Sequence, residues 1–223
     1  MPNPTAELLA ALDPLTHHAR MSALAGHARR LAATGDLPAV LADLTGGDAH
    51  QRFLGLTMAV IVGDQTTVRA GFSDPDRRLR AVAVTAYLRS GWADPDEVAA
   101  LLHDAPADLR RTAYRALRAA RRADLADALI DPVRARFGDG EAAVLLPACG
   151  PETVARLLPP LSYAVGGGIA LARRHPTVLL DFAQTQLAAR SRAARDTWWS
   201  EWGRAVLHTA QQHPTRVFDL LER

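Results

Sequence analysis

An all-α fold of stacked helix pairs is what the sequence predicts, and three features predict it. Alanine (44), leucine (31) and arginine (26) make up 101 of the 223 residues, and isoleucine occurs three times. That composition favours helix over strand. Apolar residues recur at helical spacing along nearly the whole chain, punctuated about every 10–18 residues by Gly, Pro or Asp, with no convincing alternating strand. Segments also superpose on one another at shifts of 28, 30 and 38 residues. Helix pairs repeating at that length stack into a solenoid, because one pair cannot bury its apolar face alone.

The punctuation sets the elements in order. Residues 1–35 read as N-terminal capping helices, broken at Asp13-Pro14 and closed at Thr34-Gly35-Asp36. The array 36–223 then divides into pairs 36–64, 65–94, 95–123, 124–150, 151–176 and 177–213, with a partial unit 214–223. The breaks that set these limits are Gly46-Gly47-Asp48, Val62-Gly63-Asp64, Ser73-Asp74-Pro75-Asp76, Ser90-Gly91-Trp92 and His103-Asp104-Ala105-Pro106. Phe137-Gly138-Asp139-Gly140, Gly150-Pro151, His175-Pro176 and His213-Pro214 complete them. Asp or Ser before Pro is a good helix start, since the side chain caps orphan N–H groups and Pro fits the first turn.

Residues 73–83 align with 103–113, matching Asp74 with Asp104, Leu79 with Leu109, Arg80 with Arg110 and Ala83 with Ala113. Arg52 occupies the Arg80 position one repeat earlier, and the His-Pro-Thr start at His175 recurs at His213. The run Asp74-x-Asp76-x-x-Leu79-Arg80-x-x-Ala83-x-x-Ala86 resembles the turn and second helix of a HEAT repeat. The resemblance is most specific over 36–123 and weakens through 124–174, where Asp131-Pro132, Pro159-Pro160 and Gly166-Gly167-Gly168 interrupt the pattern. It implies a right-handed α-solenoid of antiparallel helix pairs whose second helices line a concave groove. It also implies a structural ladder between neighbouring repeats, here Arg52, Asp74, Arg80, Asp104 and Arg110. The last segment resembles the first helix of a further pair. Its Val217, Phe218, Leu220 and Leu221, partly covered, suit an end cap, a longer solenoid or a homodimer contact.

Composition excludes several classes of function. There is no Lys, so no Schiff-base or P-loop lysine can exist. With 48% hydrophobic residues and a net charge of +2 the chain is ordinary globular material rather than disordered. The single cysteine, Cys149, cannot form an intramolecular disulfide, and the N-terminus lacks a signal peptide's basic and apolar regions. The longest uncharged stretch, 157–172, has 16 residues with two Pro and three Gly, short of the roughly 20 apolar residues that span a bilayer. The chain therefore reads as soluble and cytoplasmic, with no membrane partner, and its all-Arg usage points to a GC-rich bacterial genome. Residues 1–104 carry 9 Arg against 12 acids and residues 105–223 carry 17 against 12, so the C-terminal part is the basic one.

Two constellations are candidates for binding. Arg111, Arg115, Arg118 and Arg122 share the spacing of one helix face, flanked by Arg110 and Arg121, with Leu109, Ala113, Ala116, Leu117 and Ala120 opposite. Such a stripe is either an anion site for phosphates or an acidic partner, or a solvated face tempered by Asp108, Asp124 and Asp127. Trp198, Trp199 and Trp202 follow Arg190, Arg192 and Arg195. They make either an aromatic hot spot or the filling of a wide seam in the longest repeat. The eight histidines form no metal-ligand pattern, and no motif calls for a cofactor. His175 and His213 read as turn or cap residues, Cys149 as a buried small residue, and Gly166-Gly167-Gly168 as a loop or a close backbone crossing.

No catalytic motif is present, so the first expectation is a non-catalytic scaffold that binds a protein partner through its concave groove. The alternative is a nucleic-acid-binding protein resembling the HEAT-like alkylpurine DNA glycosylases, with the tryptophans and Asp196 or Glu201 at a lesion. A net charge of +2 makes nucleic acid the less favoured partner.

Overall fold

The computed structural model describes residues 4–166 and 168–222. It is all-helical, with 80% of the chain in helices and no strand among the described residues. The chain forms two compact units, Met1–Ala93 and Asp94–Arg223.

The first unit contains α1 (Pro4–Leu12), α2 (His17–Thr34), α3 (Leu37–Thr45), α4 (Ala49–Val62), α5 (Gln65–Ala70) and α6 (Arg77–Arg89), with a 3-10 turn at Gly71–Ser73. Aspartates cap three of its helices, α4, α5 and α6. Asp48 accepts the Gln51 N–H at 2.9 Å while Gln51 accepts the Asp48 N–H at 3.1 Å, a reciprocal capping box. Asp64 and Asp76 cap α5 and α6 in the simpler way. Glycines at Gly35 (φ 84°) and Gly63 (φ 78°) stop α2 and α4 in the left-handed conformation. Helix α4 is the hub, packing on α2, α3, α5 and α6, and its Leu54 and Met58 are fully buried.

The expected ladder is present here in one rung. Arg52 donates to both oxygens of Asp74, Nε–Oδ2 2.9 Å and Nη2–Oδ1 3.3 Å, and to the Gly47 carbonyl at 3.0 Å. Burial pushes the Asp74 carboxyl up, but the Arg52 hydrogen bond and the Asp76 N–H outweigh it and hold the group below its ordinary value. Arg80 uses its guanidinium differently, donating to the carbonyls of Asp74 (2.6 Å) and Pro75 (3.2 Å) at the start of its own helix.

The second unit contains α7 (Pro95–His103), α8 (Ala107–Ala120), α9 (Ala123–Phe137), α10 (Asp139–Leu145), a 3-10 turn at Leu146–Ala148, α11 (Pro151–Leu161), α12 (Ile169–Arg174), α13 (Pro176–Ala188), α14 (Arg192–His208) and α15 (Pro214–Leu221). First helices pack on first helices (α7 on α9, α11 on α13, α13 on α15) and second on second (α8 on α10, α12 on α14). The prolines read above as interruptions do not end their helices: Pro132 lies within α9, and Pro159 and Pro160 within α11. All three are exposed, so the ring and the lost N–H fall on the solvent side and cost no core contact. Asp104 is exposed beside His103, while Arg110 pairs with Glu141 of α10 at 3.2 Å, so the ladder's last arginine uses an acid that the repeat alignment does not contain.

The tryptophans differ in their placement. Trp198 and Trp202 are each 4% exposed, stacked on one another with centroids 6.2 Å apart, and Phe182 of α13 meets the Trp202 ring edge-on at 5.3 Å. They fill the seam between α12, α13 and α14. Trp199 is half-buried, its ring standing edge-on to Trp198. At the chain's last helix Val217 and Leu220 are buried and Phe218 and Leu221 exposed. No helix among the described residues is long and apolar enough to cross a membrane.

Candidate anion site in the second unit

Helix α8 carries only three of the four arginines assigned to its stripe. It ends at Ala120 because Arg121 turns left-handed, φ 57° and ψ 36°. A residue with a Cβ gives up roughly 1–2 kcal/mol in that conformation. The Arg122 N–H then returns to the Leu117 carbonyl at 3.1 Å, completing a C-terminal turn that glycine usually builds. Arg122 thus precedes α9, and its guanidinium binds Asp124 at 2.8 Å, which takes it out of the stripe. Arg111 and Arg115 remain exposed on α8, where Arg115 donates to the Arg111 carbonyl and the Thr112 hydroxyl. Arg118, the third, is half-buried and belongs to a different grouping.

That grouping is a cleft of about 940 Å³ whose wall contains Arg118, Arg121, Arg173 and Arg174. Arg118 and Arg121 come from the end of α8, and Arg173 and Arg174 from the end of α12. The two ends are tied together by Arg174, whose Nη1 donates to the Arg118 carbonyl at 3.1 Å across 56 residues of sequence. Arg173 lies against His208, Nε to Nε2 3.4 Å. The rest of the wall comes from helix starts: Ala123 of α9, Pro151 of α11, and Pro176, Thr177 and Val178 of α13. None of these three starts has a side-chain cap from its N-cap residue, as is also true of α2 and α3. The positive ends of their dipoles therefore lie at the cleft, although the Asp124 carboxylate already accepts from the first-turn backbone of α9.

No carboxylate lines this cleft. The acids of the nearby first turns, Asp124 and Glu152, lie outside its wall, and Asp124 is already engaged by Arg122. Several arginines elsewhere are paired, Arg52 with Asp74, Arg110 with Glu141, Arg134 with Asp139, Arg156 with Asp131 and Arg216 with Asp181, whereas others, such as Arg80 and Arg115, donate only to carbonyls or hydroxyls. Among the described residues none of the four cleft arginines forms an ion pair. Burial lowers the Arg174 pKa, and the neighbouring charges of Arg121 and Arg118 lower it further, the signature of uncompensated like charge in a partly desolvated place. Such a site gains from any anion that enters it.

Two buried groups sit behind the arginines. Cys149 lines the cleft floor, but burial first, and then the nearby Asp127 carboxylate, push its thiol far above the ordinary range, so it is no nucleophile. Asp127 is itself held by the Gly150 N–H at 2.9 Å, which fixes the turn into α11. His175 is 8% exposed and its Nε2 has no hydrogen-bond partner. It occupies the turn ahead of Pro176, φ −132° and ψ 55°, one of the two roles expected of it, but its ring makes no cap hydrogen bond and is buried. Burial holds its pKa below 6.5, against the opposing pull of the Pro147 and Cys149 carbonyls. The folded state thus favours neutral His175 and the unfolded state binds the proton more readily. Stability contributed by this group is complete above pH 6.5 and falls as the pH drops below that value. Chemical denaturation from pH 7.5 to 5 is expected to show a decline that His175→Gln removes; an unchanged slope in the variant would assign it to other groups.

Of the four arginines that share one helix-face spacing, Arg118 lines the cleft with Arg121, Arg173 and Arg174, while Arg111 and Arg115 are exposed on α8 and Arg122 binds Asp124. Among the described residues no group of acids, histidines and cysteine is placed to hold a metal ion. No protein-family model, curated protein or solved structure matches the chain.

Proposed function

We propose that the protein is a non-catalytic helical scaffold whose second unit binds an acidic protein partner at the arginine cleft. The observation that carries this reading is the cleft itself: four guanidiniums without carboxylate partners, framed by three helix starts. Around it stand no activated nucleophile and no paired acid and base. The HEAT-like, right-handed solenoid with a concave binding groove belongs to the same proposal. It is supported by the short helices joined in pairs and by the packing of first on first and second on second helices within the second unit. A homodimer through α15 would cover Phe218 and Leu221.

Nucleic acid is the second reading, favoured by the fit of guanidinium forks and helix starts to phosphodiesters as well as to carboxylates. The tryptophans that a glycosylase-like mechanism would need at a lesion weigh against it, since Trp198 and Trp202 are core residues. Fluorescence anisotropy with a labelled polyglutamate peptide, duplex DNA and single-stranded DNA at two salt concentrations separates the readings. The peptide is expected to bind more tightly at low salt and to be released by Arg121→Glu with Arg173→Glu, a double change on side chains that make no ion pair. DNA binding tighter than peptide binding would transfer the cleft to nucleic acid. Retention of the peptide by the double variant would remove the cleft from the function.

A further inference from the structure

The charge and the donor geometry of the cleft say more about its ligand than that it is negative. Arg118, Arg121, Arg173 and Arg174 bring four positive charges to one wall with no acid among them. A carboxylate offers one charge and two oxygens, which satisfies one guanidinium fork and leaves the others facing each other. A phosphodiester likewise carries a single charge, and its neighbours along a strand are spaced out, whereas here Arg118 and Arg121 lie near enough to Arg174 to act on its charge, with Arg173 in the same wall. A terminal phosphate carries a charge of about −1.5 to −2 and three acceptor oxygens, enough for several forks at once. Thr177, at the start of α13, adds a hydroxyl and first-turn N–H groups to the same wall, and α13 is 13 residues long, so its dipole is a substantial one.

His175 stands behind this wall with its Nε2 buried and without a partner, so it shapes the wall rather than meeting the ligand. The apolar wall atoms of Ile169 and Val178 lower the local dielectric and strengthen every charge–charge contact made there.

We propose that this cleft is a receptor for a phosphate monoester dianion, bound by Arg118, Arg121, Arg173 and Arg174 with the start of α13. The proposal rests on the reading of the cleft as a binding site and narrows it to one chemistry. The phosphate can be borne on a phosphorylated side chain of a protein partner or on a free phosphorylated small molecule, and the same four arginines would hold either.

Calorimetric titration of the full chain tests this with phenyl phosphate and with one short peptide in three forms carrying phosphoserine, glutamate or serine at its centre. The phosphoserine peptide is expected to bind at least about ten-fold tighter than the glutamate form, the serine form weakest. Phenyl phosphate binding as tightly as the phosphopeptide would identify a small-molecule ligand. A phosphopeptide much tighter than phenyl phosphate would identify a modified protein. Arg173→Ala and Arg174→Ala should each weaken binding about ten-fold, while Arg111→Ala, outside the cleft, should leave it within about two-fold. Should Arg174→Ala fail to fold, Arg121→Gly serves in its place, because glycine is at ease at φ 57°. Equal affinity for the glutamate and phosphoserine forms would overturn the phosphate assignment while leaving the acidic-partner function standing. Equal loss from Arg111→Ala would overturn the location. Failure of all anionic ligands, the glutamate peptide included, would bring down both readings together.

Discussion

Replacing Gly168 by alanine is expected to destabilise the protein by about 3 kcal/mol. Two costs add. Gly168 has φ +65°, and a side chain there gives up about 1 kcal/mol of backbone energy. The new Cβ would also lie 2.7 Å from Cζ3 and 2.9 Å from Cε3 of Trp202, with the Ala205 Cβ at 3.1 Å. An indole stacked on Trp198 and edged by Phe182 cannot yield without disturbing the whole seam, and overpacking of this kind costs roughly 1–3 kcal/mol. Thermal melting should show a midpoint roughly 6–12 °C lower. The cause can be isolated with Trp202→Leu. That change alone removes ring contacts and costs stability, but it makes room at Gly168, so the double variant should be clearly less destabilised than the sum of the singles. Strict additivity would mean that backbone strain alone accounts for the glycine. Trp emission from the unaltered protein should be blue-shifted and quencher-protected for the two buried rings.

Arg110→Ala is expected to cost about 3 kcal/mol, well above the roughly 1 kcal/mol expected for Arg80→Ala. Both arginines occupy the same position in the repeat, and the difference lies in what each touches. Arg110 is 12% exposed, donates to Glu141 at 3.2 Å and to the Ala105 carbonyl at 2.7 Å, and lies 3.9 Å over the Phe137 ring. Removing it leaves Glu141 partly buried without its cation and exposes the ring face. Arg80 donates to two carbonyls near the surface, and water can replace it there. Denaturant titration of the two variants gives the comparison directly. Equal costs would show that repeat position, rather than the local partner set, decides the contribution.

The helical character of this chain was legible because its signals are local. Asp48, Asp64, Asp76 and Asp94 each cap the helix that follows, and Gly35 and Gly63 stop the helices before them, all within three or four residues of the structure they control. The failures have equally definite causes. Helix α8 stops on an arginine in the left-handed region, so nothing in the sequence marks the end, and the apparent stripe runs on to Arg122. Pro132 and Pro159 sit on exposed faces, where a helix tolerates them, although spacing alone reads them as breaks. The two readings of Trp198 and Trp202 stayed open because the partners that bury them include Phe182 and the close-passing Gly168, which are distant in sequence. The cleft was the least legible feature. Arg118 and Arg174 are 56 residues apart, and their meeting depends on how α12 docks beside the end of α8. What local reasoning did supply was the surplus of arginine in the C-terminal part, 17 against 12 acids, without which no cluster of unpaired cations could form.

The most direct measurement of the central claim is a crystal structure of the full chain grown with phenyl phosphate. The account predicts a phosphate seated in the cleft of the second unit, hydrogen-bonded by at least three of Arg118, Arg121, Arg173 and Arg174. A phosphate held instead on Arg111 and Arg115, or a cleft whose four guanidiniums are taken up by the protein's own carboxylates, would contradict it.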